Sequence, residues 1–382
     1  MWKQNQKKLD TWIDIKLIPR LTPTIFYIDW NWERSYPVSN AVMLKESIDI
    51  TKNYYTFQKY IAWRDFKSKL LICGNFPKEQ LQAPYRFYGN PRIRNKSFLK
   101  SHLQKCIRRC KDAEAVKTAF DLMQLDFLMF LRRIIIIMIE DVHLHQSIST
   151  ICWMMVAYGE NEWNPSKNHI EWLLGIVSLL SLSKFAHSVP RISIIDMNNF
   201  KSKLDSLYDK SKKRYTVLWC LLLRKSYGGM KCDMDMLNGA FIVWYDILPH
   251  LKKKLENQEI KRLFYIPVKA VSVALQSLVL QQYCLEAVDF HCYPEICNQL
   301  LYSLDEEYIE KNELDEEKLK SLIWEFNSKI NVRTYIYVGN SNNKDKLIEN
   351  IKKDENKIWD EIKDKYYQIA YEKLKHSYNI YS

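Results

Sequence analysis

Eight glycines in 382 residues, about 2% against a usual share of about 7%, restrict this chain more than any other property. Tight hairpins, barrel corners and phosphate-cradling loops all need backbone that glycine adopts at least cost. Their scarcity points to helices. At 47% hydrophobic and 13% aromatic the chain has ample apolar surface to bury, so a disordered polymer is excluded. The length favours two domains or one core with flanking arms.

The stretch FLMFLRRIIIIMIEDVHLH, residues 127–145, tests that expectation. Arg132 and Arg133 break the apolar run well short of the roughly 18 residues a membrane helix requires. Four consecutive isoleucines would suit a buried strand. However, Arg133 lies seven positions before Glu140 and eight before Asp141, which aligns these charges on one helical face. The spacing therefore predicts a buried helix over 125–140, whose single polar stripe needs partners because unpaired buried charge is costly. Arg108 and Arg109, at the end of the preceding helix, are the expected partners of Glu140 and Asp141 across an antiparallel hairpin. Asp112 is the expected cap of the helix between.

Three regions follow from pattern. Residues 1–95 are aromatic, basic and irregular, with short strands expected in TPTIFYIDWNW and KLLICGNFP. Residues 96–300 read as successive helices, with Ser166 as an N-cap and Gly228 and Gly229 as a helix end. Pro249 follows another helix, and Pro267 and Pro294 are placed in first turns. Residues 301–382 alternate in charge, as amphipathic helices do. The fold class is mainly α: a multi-helix bundle core, an irregular basic and aromatic N-terminal region, and charged C-terminal helices.

The segments LQKCIRRC, AEAVKTAFDLM and FLRRIIIIMIEDV resemble the helical region after the ATPase module in RarA/MgsA-type relatives of clamp loaders. The resemblance covers residues 101–145. It implies a helical collar used for assembly on DNA, and hence a homo-oligomer or a replication or repair complex as partner. Cys110 stands where that family has a small residue, and His143 where it has glycine. No G-x-x-x-x-G-K-[ST] is present, so the family's ATP chemistry does not carry over.

Charge supplies the main functional signal. The formal net charge is +12, and no acidic residue falls between Glu79 and Asp112. Tyr85, Arg86, Tyr88, Arg92, Arg94, Lys96, Lys100, Lys105, Arg108 and Arg109 all lie in that interval, with Phe87 and Phe98 among them. Cations that neutralise phosphates beside rings that stack on bases suit a single strand or a junction. KSKKRY, from Lys210, is a second basic cluster. The expectation is a nucleic-acid-binding assembly or accessory protein. One alternative is a structural or scaffold protein, for example of a virion, whose basic face meets a protein or a packaged genome. Another is a metal-dependent nuclease drawing on Asp233, Asp235, Glu286, Asp289 and His291.

The nuclease alternative lacks a complete constellation. Asp233 and Asp235 point to different sides of a helix. Glu286, Asp289, His291, Cys292 and Cys297 form one dense cluster without the second ligand pair that zinc sites use. His143 and His145 beside Glu140 and Asp141 lack an accompanying nucleophile. No metal, no cofactor and no catalytic residue is therefore assigned. Nine cysteines in largely apolar settings fit buried thiols in a reducing, intracellular compartment. The N-terminal residues carry no apolar core of secretion-signal length.

Overall fold

The computed structural model describes residues 24–31, 36–37, 41–44, 60–61, 70–74, 85, 87, 91, 93–159, 163–188, 200, 202–204, 206–207, 215–248, 258–272, 282–337 and 353–379. Short strands come first: β1 Thr24–Ile28, β2 Trp30–Asn31, β3 Tyr36–Pro37, β4 Val42–Leu44, β5 Tyr60–Ile61 and β6 Leu70–Gly74. Helices then dominate: α1 Lys96–Arg108, α2 Asp112–Leu125, α3 Phe127–Glu140, α4 Ile148–Gly159 and α5 Lys167–Leu182. After β7 Phe185–Ser188 come α6 Thr216–Ser226, α7 Lys231–Ile247 and α8 Gln258–Tyr265. The C-terminal part holds α9 Glu295–Tyr302, α10 Glu306–Lys311, α11 Glu316–Ile323, β8 Thr334–Tyr337 and α12 Lys353–Asn379. The architecture is mainly α.

In the four-stranded sheet, of order β4-β1-β6-β5, only the central β1–β6 pair is parallel. Alternation divides its two faces. Phe26, Ile28, Leu70 and Ile72 join the main core, while Ile25, Leu71 and Cys73 make a small cluster on the other side. The indole of Trp153 on α4 donates to the carbonyls of Phe26 and Cys73 at 3.1 and 3.0 Å. This contact ties the sheet to the helices and satisfies a buried Trp N–H. The main core runs from Phe26 to Leu374 and takes residues from all three sequence regions.

The isoleucine run is helical. Ile134 to Ile139 are all buried, and Asp126 caps α3 by accepting from Met129 N at 2.9 Å. Helix α4 is buried on every side from Ile148 to Ala157. Ser166 stands at the N-cap of α5, and its backbone N–H donates to His169 Nδ1 at 3.0 Å, the position usually taken by Glu or Gln. In α12 the buried residues Ile358, Ile362, Tyr366, Ala370 and Leu374 recur every fourth position, so this charge-rich helix docks its stripe on the core. Among the described residues no helix is long and apolar enough to cross a membrane. All nine cysteines are free thiols.

Two expected helix boundaries shift. Asp112 is the first residue of α2 and Lys111 its cap, because α1 closes through a left-handed Cys110 that brings Lys111 N to Cys106 O at 3.0 Å. Pro294 does stand at the start of α9. Pro267 lies instead in irregular chain after α8. That strap lies against α5, with Val271 N donating to Glu171 O at 2.9 Å. A Cβ on Gly175 would sit 2.0 Å from Lys269 O, so only glycine permits the approach. α6 ends at Ser226, followed by Gly228 in the left-handed region at φ 71°. Pro249 and the basic cluster from Lys210 to Arg214 lie outside the described residues.

Candidate nucleic-acid interface

Asn95 opens α1 by accepting from Phe98 N at 3.0 Å. From there Lys96, Lys100, Gln104 and Arg108 fall every fourth residue along one face. α3 runs beside this face in the same direction, since Lys96 meets Asp126 before α3 at 2.8 Å and Arg108 meets Asp141 after it at 2.5 Å. The hairpin expected between α1 and α3 is thus a parallel pair with α2 as the return. The antiparallel expectation fails because the chain reverses twice, into and out of α2, which restores the direction of α1.

At the far end of the seam the charges are matched. Gln104 Nε2 donates to Glu140 and Asp141 at 3.0 and 2.7 Å, and Arg108 also lies 3.6 Å from Glu140. Burial lifts the Asp141 carboxyl to about 6, with Arg108 pulling the other way. Arg109 turns elsewhere. Its guanidinium bonds Glu286 at 3.3 Å and both oxygens of Asn327 at 2.7 Å. Asn327 and Ser328 present these acceptors from a π-turn at Trp324–Ser328 that follows α11, and Ser328 O also accepts from Arg108.

Lys105 lies on another side of α1, where it is buried and bonds Asp289 at 2.5 Å and Ser101 at 2.9 Å. Burial would raise the Asp289 carboxyl, but Lys105 and His291 override it and hold it at about 2. Lys105, Arg108 and Arg109, read from sequence as phosphate contacts, thus have their charge committed inside the fold. The cause is three acids distant in sequence, namely Asp141, Glu286 and Asp289. The aromatic residues turn inward as well. Phe98 is fully buried, and Tyr85 packs edge-on to Phe87 at 4.9 Å, which in turn meets Phe120. Arg94 and Lys96 are exposed and Lys100 is half-buried. Arg86, Tyr88 and Arg92 lie outside the described residues.

In the middle of the seam the charges are not matched. Arg133 on α3 donates to Gln104 Oε1 at 3.2 Å, and Lys100 has no ion pair or hydrogen bond among the described residues. Next to Arg133, Arg132 donates to the carbonyls of Tyr227 and Gly228 at 2.9 and 3.3 Å. Buried Arg224 on α6 bonds the carbonyls of Arg132 and Gly228, both at 2.8 Å. Asp233, in the first turn of α7, is the carboxylate that Lys100, Arg133 and Arg224 share. Burial and the neighbouring cations push Lys100 below its ordinary range, and Arg224 down to about 10. From sequence, Arg133 is expected only as an internal partner and Arg132 only as a break in the apolar run, and Arg224 is passed over. The doublet inside an apolar helix was the available signal.

The other candidate sets disperse. Among the described residues no three His, Cys, Asp or Glu side chains converge as metal ligands. Glu286 takes Arg109 and Lys111, Asp289 takes Lys105, and Cys297 is buried in the core. Asp233 is buried and Asp235 half-buried on another side of α7. His143 and His145 are buried beyond the end of α3, where His145 bonds Ser147 at 2.7 Å and Ile266 O at 2.7 Å.

No protein-family model matches this chain, and neither do the curated proteins or the solved structures searched.

Proposed function

We propose that this chain binds nucleic acid through the phosphate backbone along the first half of α1, as an assembly or accessory protein of replication or repair type. The observation that carries the reading is the charge imbalance of the seam. Arg94, Lys96 and Lys100 reach solvent within an acid-free stretch that begins after Glu79, and Lys100 lies beside Arg132 and Arg133. Asp126 pairs with Lys96 at the start of α1, and the other carboxylates that neutralise this helix sit at its far end and beneath it, so Lys100 between them has no ion pair among the described residues. Fixed cations on a rigid helix suit a phosphate backbone better than base edges, so the reading is sequence-tolerant binding to DNA or RNA, single strands or junctions. The resemblance of residues 101–145 to a collar adds self-association to the proposal. Free thiols throughout fit a reducing, intracellular compartment.

The test is a salt series of fluorescence anisotropy with labelled single-stranded DNA and RNA, on the wild type and on the triple variant Arg94→Gln, Lys96→Gln, Lys100→Gln. The logarithmic salt slope should flatten by about 0.7 for each phosphate of a single strand that the variant no longer neutralises. An unchanged slope would remove the proposal.

A further inference from the structure

The cations in the middle of the seam are held in place by neutral groups. Arg132 is fixed by the carbonyls of Tyr227 and Gly228, Arg133 by the Gln104 amide oxygen, and Arg224 by the carbonyls of Arg132 and Gly228. A carbonyl orients a guanidinium without cancelling its charge. Lys100, Arg133 and Arg224 therefore share Asp233 as their common carboxylate, with Arg132 beside them, and Glu140 and Asp141, which Arg133 also feels, are engaged by Arg108 and Gln104. Two donors remain unused: Arg132 Nε is buried without an acceptor, and Lys100 has no partner among the described residues. Such a concentration of half-buried positive charge opposes folding unless an anion joins it. Most cationic surfaces relieve it by turning side chains to water, but here the guanidinium groups are pinned.

We propose that Lys100, Arg132, Arg133 and Arg224 form a binding site for one phosphate group. A doubly charged tetrahedral oxyanion would offset most of the excess and give acceptors to Lys100 Nζ and Arg132 Nε. The first turn of α7, a 17-residue helix that begins beside Gly228, adds its partial positive charge. Asp233 sits among the cations as the group that competes with the anion. The site rests on the same seam as the nucleic-acid reading, and the phosphate is either a free one or a unit of a backbone.

The test uses the full chain and inorganic phosphate, titrated against sodium chloride at matched ionic strength, read by calorimetry and by thermal unfolding. The wild type should show saturable, phosphate-specific stabilisation. Lys100→Gln, a half-buried position with no hydrogen bond to lose, should weaken phosphate about tenfold, the equivalent of one charge-assisted hydrogen bond. Lys100→Arg should restore it. Asp233→Asn should tighten phosphate severalfold, opposite to the effect expected if the carboxylate were a ligand. No phosphate-specific response in the wild type, or a Lys100→Gln variant that binds like the wild type, overturns the site. A wild type that saturates with phosphate but does not bind oligonucleotide supports the site as one for a free phosphate and removes the nucleic-acid reading. Salt-dependent oligonucleotide binding with no phosphate response keeps that reading and removes the site.

Discussion

Lys105 Nζ lies 2.5 Å from Asp289 Oδ2, across 184 positions of chain, and each side chain is only 7% exposed. The pair fastens the middle of α1 to the segment before α9, with Ser101 and His291 completing the carboxylate's hydrogen bonds. Removing one partner leaves a buried charge behind. Lys105→Met should therefore destabilise by about 3 to 5 kcal/mol, and Lys105→Met with Asp289→Leu should recover a large part of that loss. A double-mutant cycle in urea measures the coupling. Strictly additive single effects would show that the two groups do not stabilise the fold as a pair.

The two acids at the end of α3 are unequal. The Asp141 side chain is 4% exposed and meets Arg108 at 2.5 Å, whereas Glu140 is 21% exposed at 3.6 Å. Asp141→Ala should cost about 3 to 5 kcal/mol, and Glu140→Ala no more than about 1 kcal/mol. Chemical denaturation of both variants decides the order, and equal losses would contradict the geometry.

Much of the fold was legible because its signals are local. The spacing of Arg133, Glu140 and Asp141 marked α3 as a helix against the β preference of four isoleucines, and Ser166 marked the start of α5. The seam was legible only in part. That Lys100 and Lys105 lie on the same helix says nothing of which carboxylate each will meet. Asp289 and Glu286 reach α1 through tertiary packing, and Asn327 through a π-turn that no local pattern announces. The strap after Pro267 was misread for the same reason, since its hydrogen bonds go to α5 instead of to itself.

Among the described residues, five buried histidines make stability depend on pH. Burial holds His102, His169 and His187 down at about 3 and His145 at about 4, against an ordinary 6.5, and burial with His187 and His145 nearby holds His143 well below that ordinary value too. The unfolded chain takes up these protons first. Their contribution to stability is complete above about pH 6.5 and is lost as pH falls towards the folded values, at up to about 1.4 kcal/mol per pH unit for each histidine. Urea titrations between pH 7.5 and 4.5 should show a steep loss, and His145→Gln should make it shallower by about one proton. A flat profile across that range would contradict the buried, neutral state of these rings.

Arg333 carries the last prediction. It is 5% exposed and donates to Ser183 O at 2.9 Å, Leu180 O at 2.7 Å and Arg108 O at 3.1 Å. One guanidinium thereby satisfies carbonyls at the C-terminal ends of both α1 and α5, which those helices cannot satisfy themselves. Its planar fork reaches two helix ends at once, a geometry that a lysine ammonium does not reproduce. Arg333→Lys and Arg333→Met should each destabilise by about 1 to 3 kcal/mol, because Leu180 O and Ser181 O would lose their donor while Arg108 O keeps Val332 N. Hydrogen exchange locates the effect, with faster exchange expected in the last turns of α1 and α5 and in β8, and little change in α4. Uniform acceleration through the whole chain would show instead that Arg333 contributes to global stability without capping either helix.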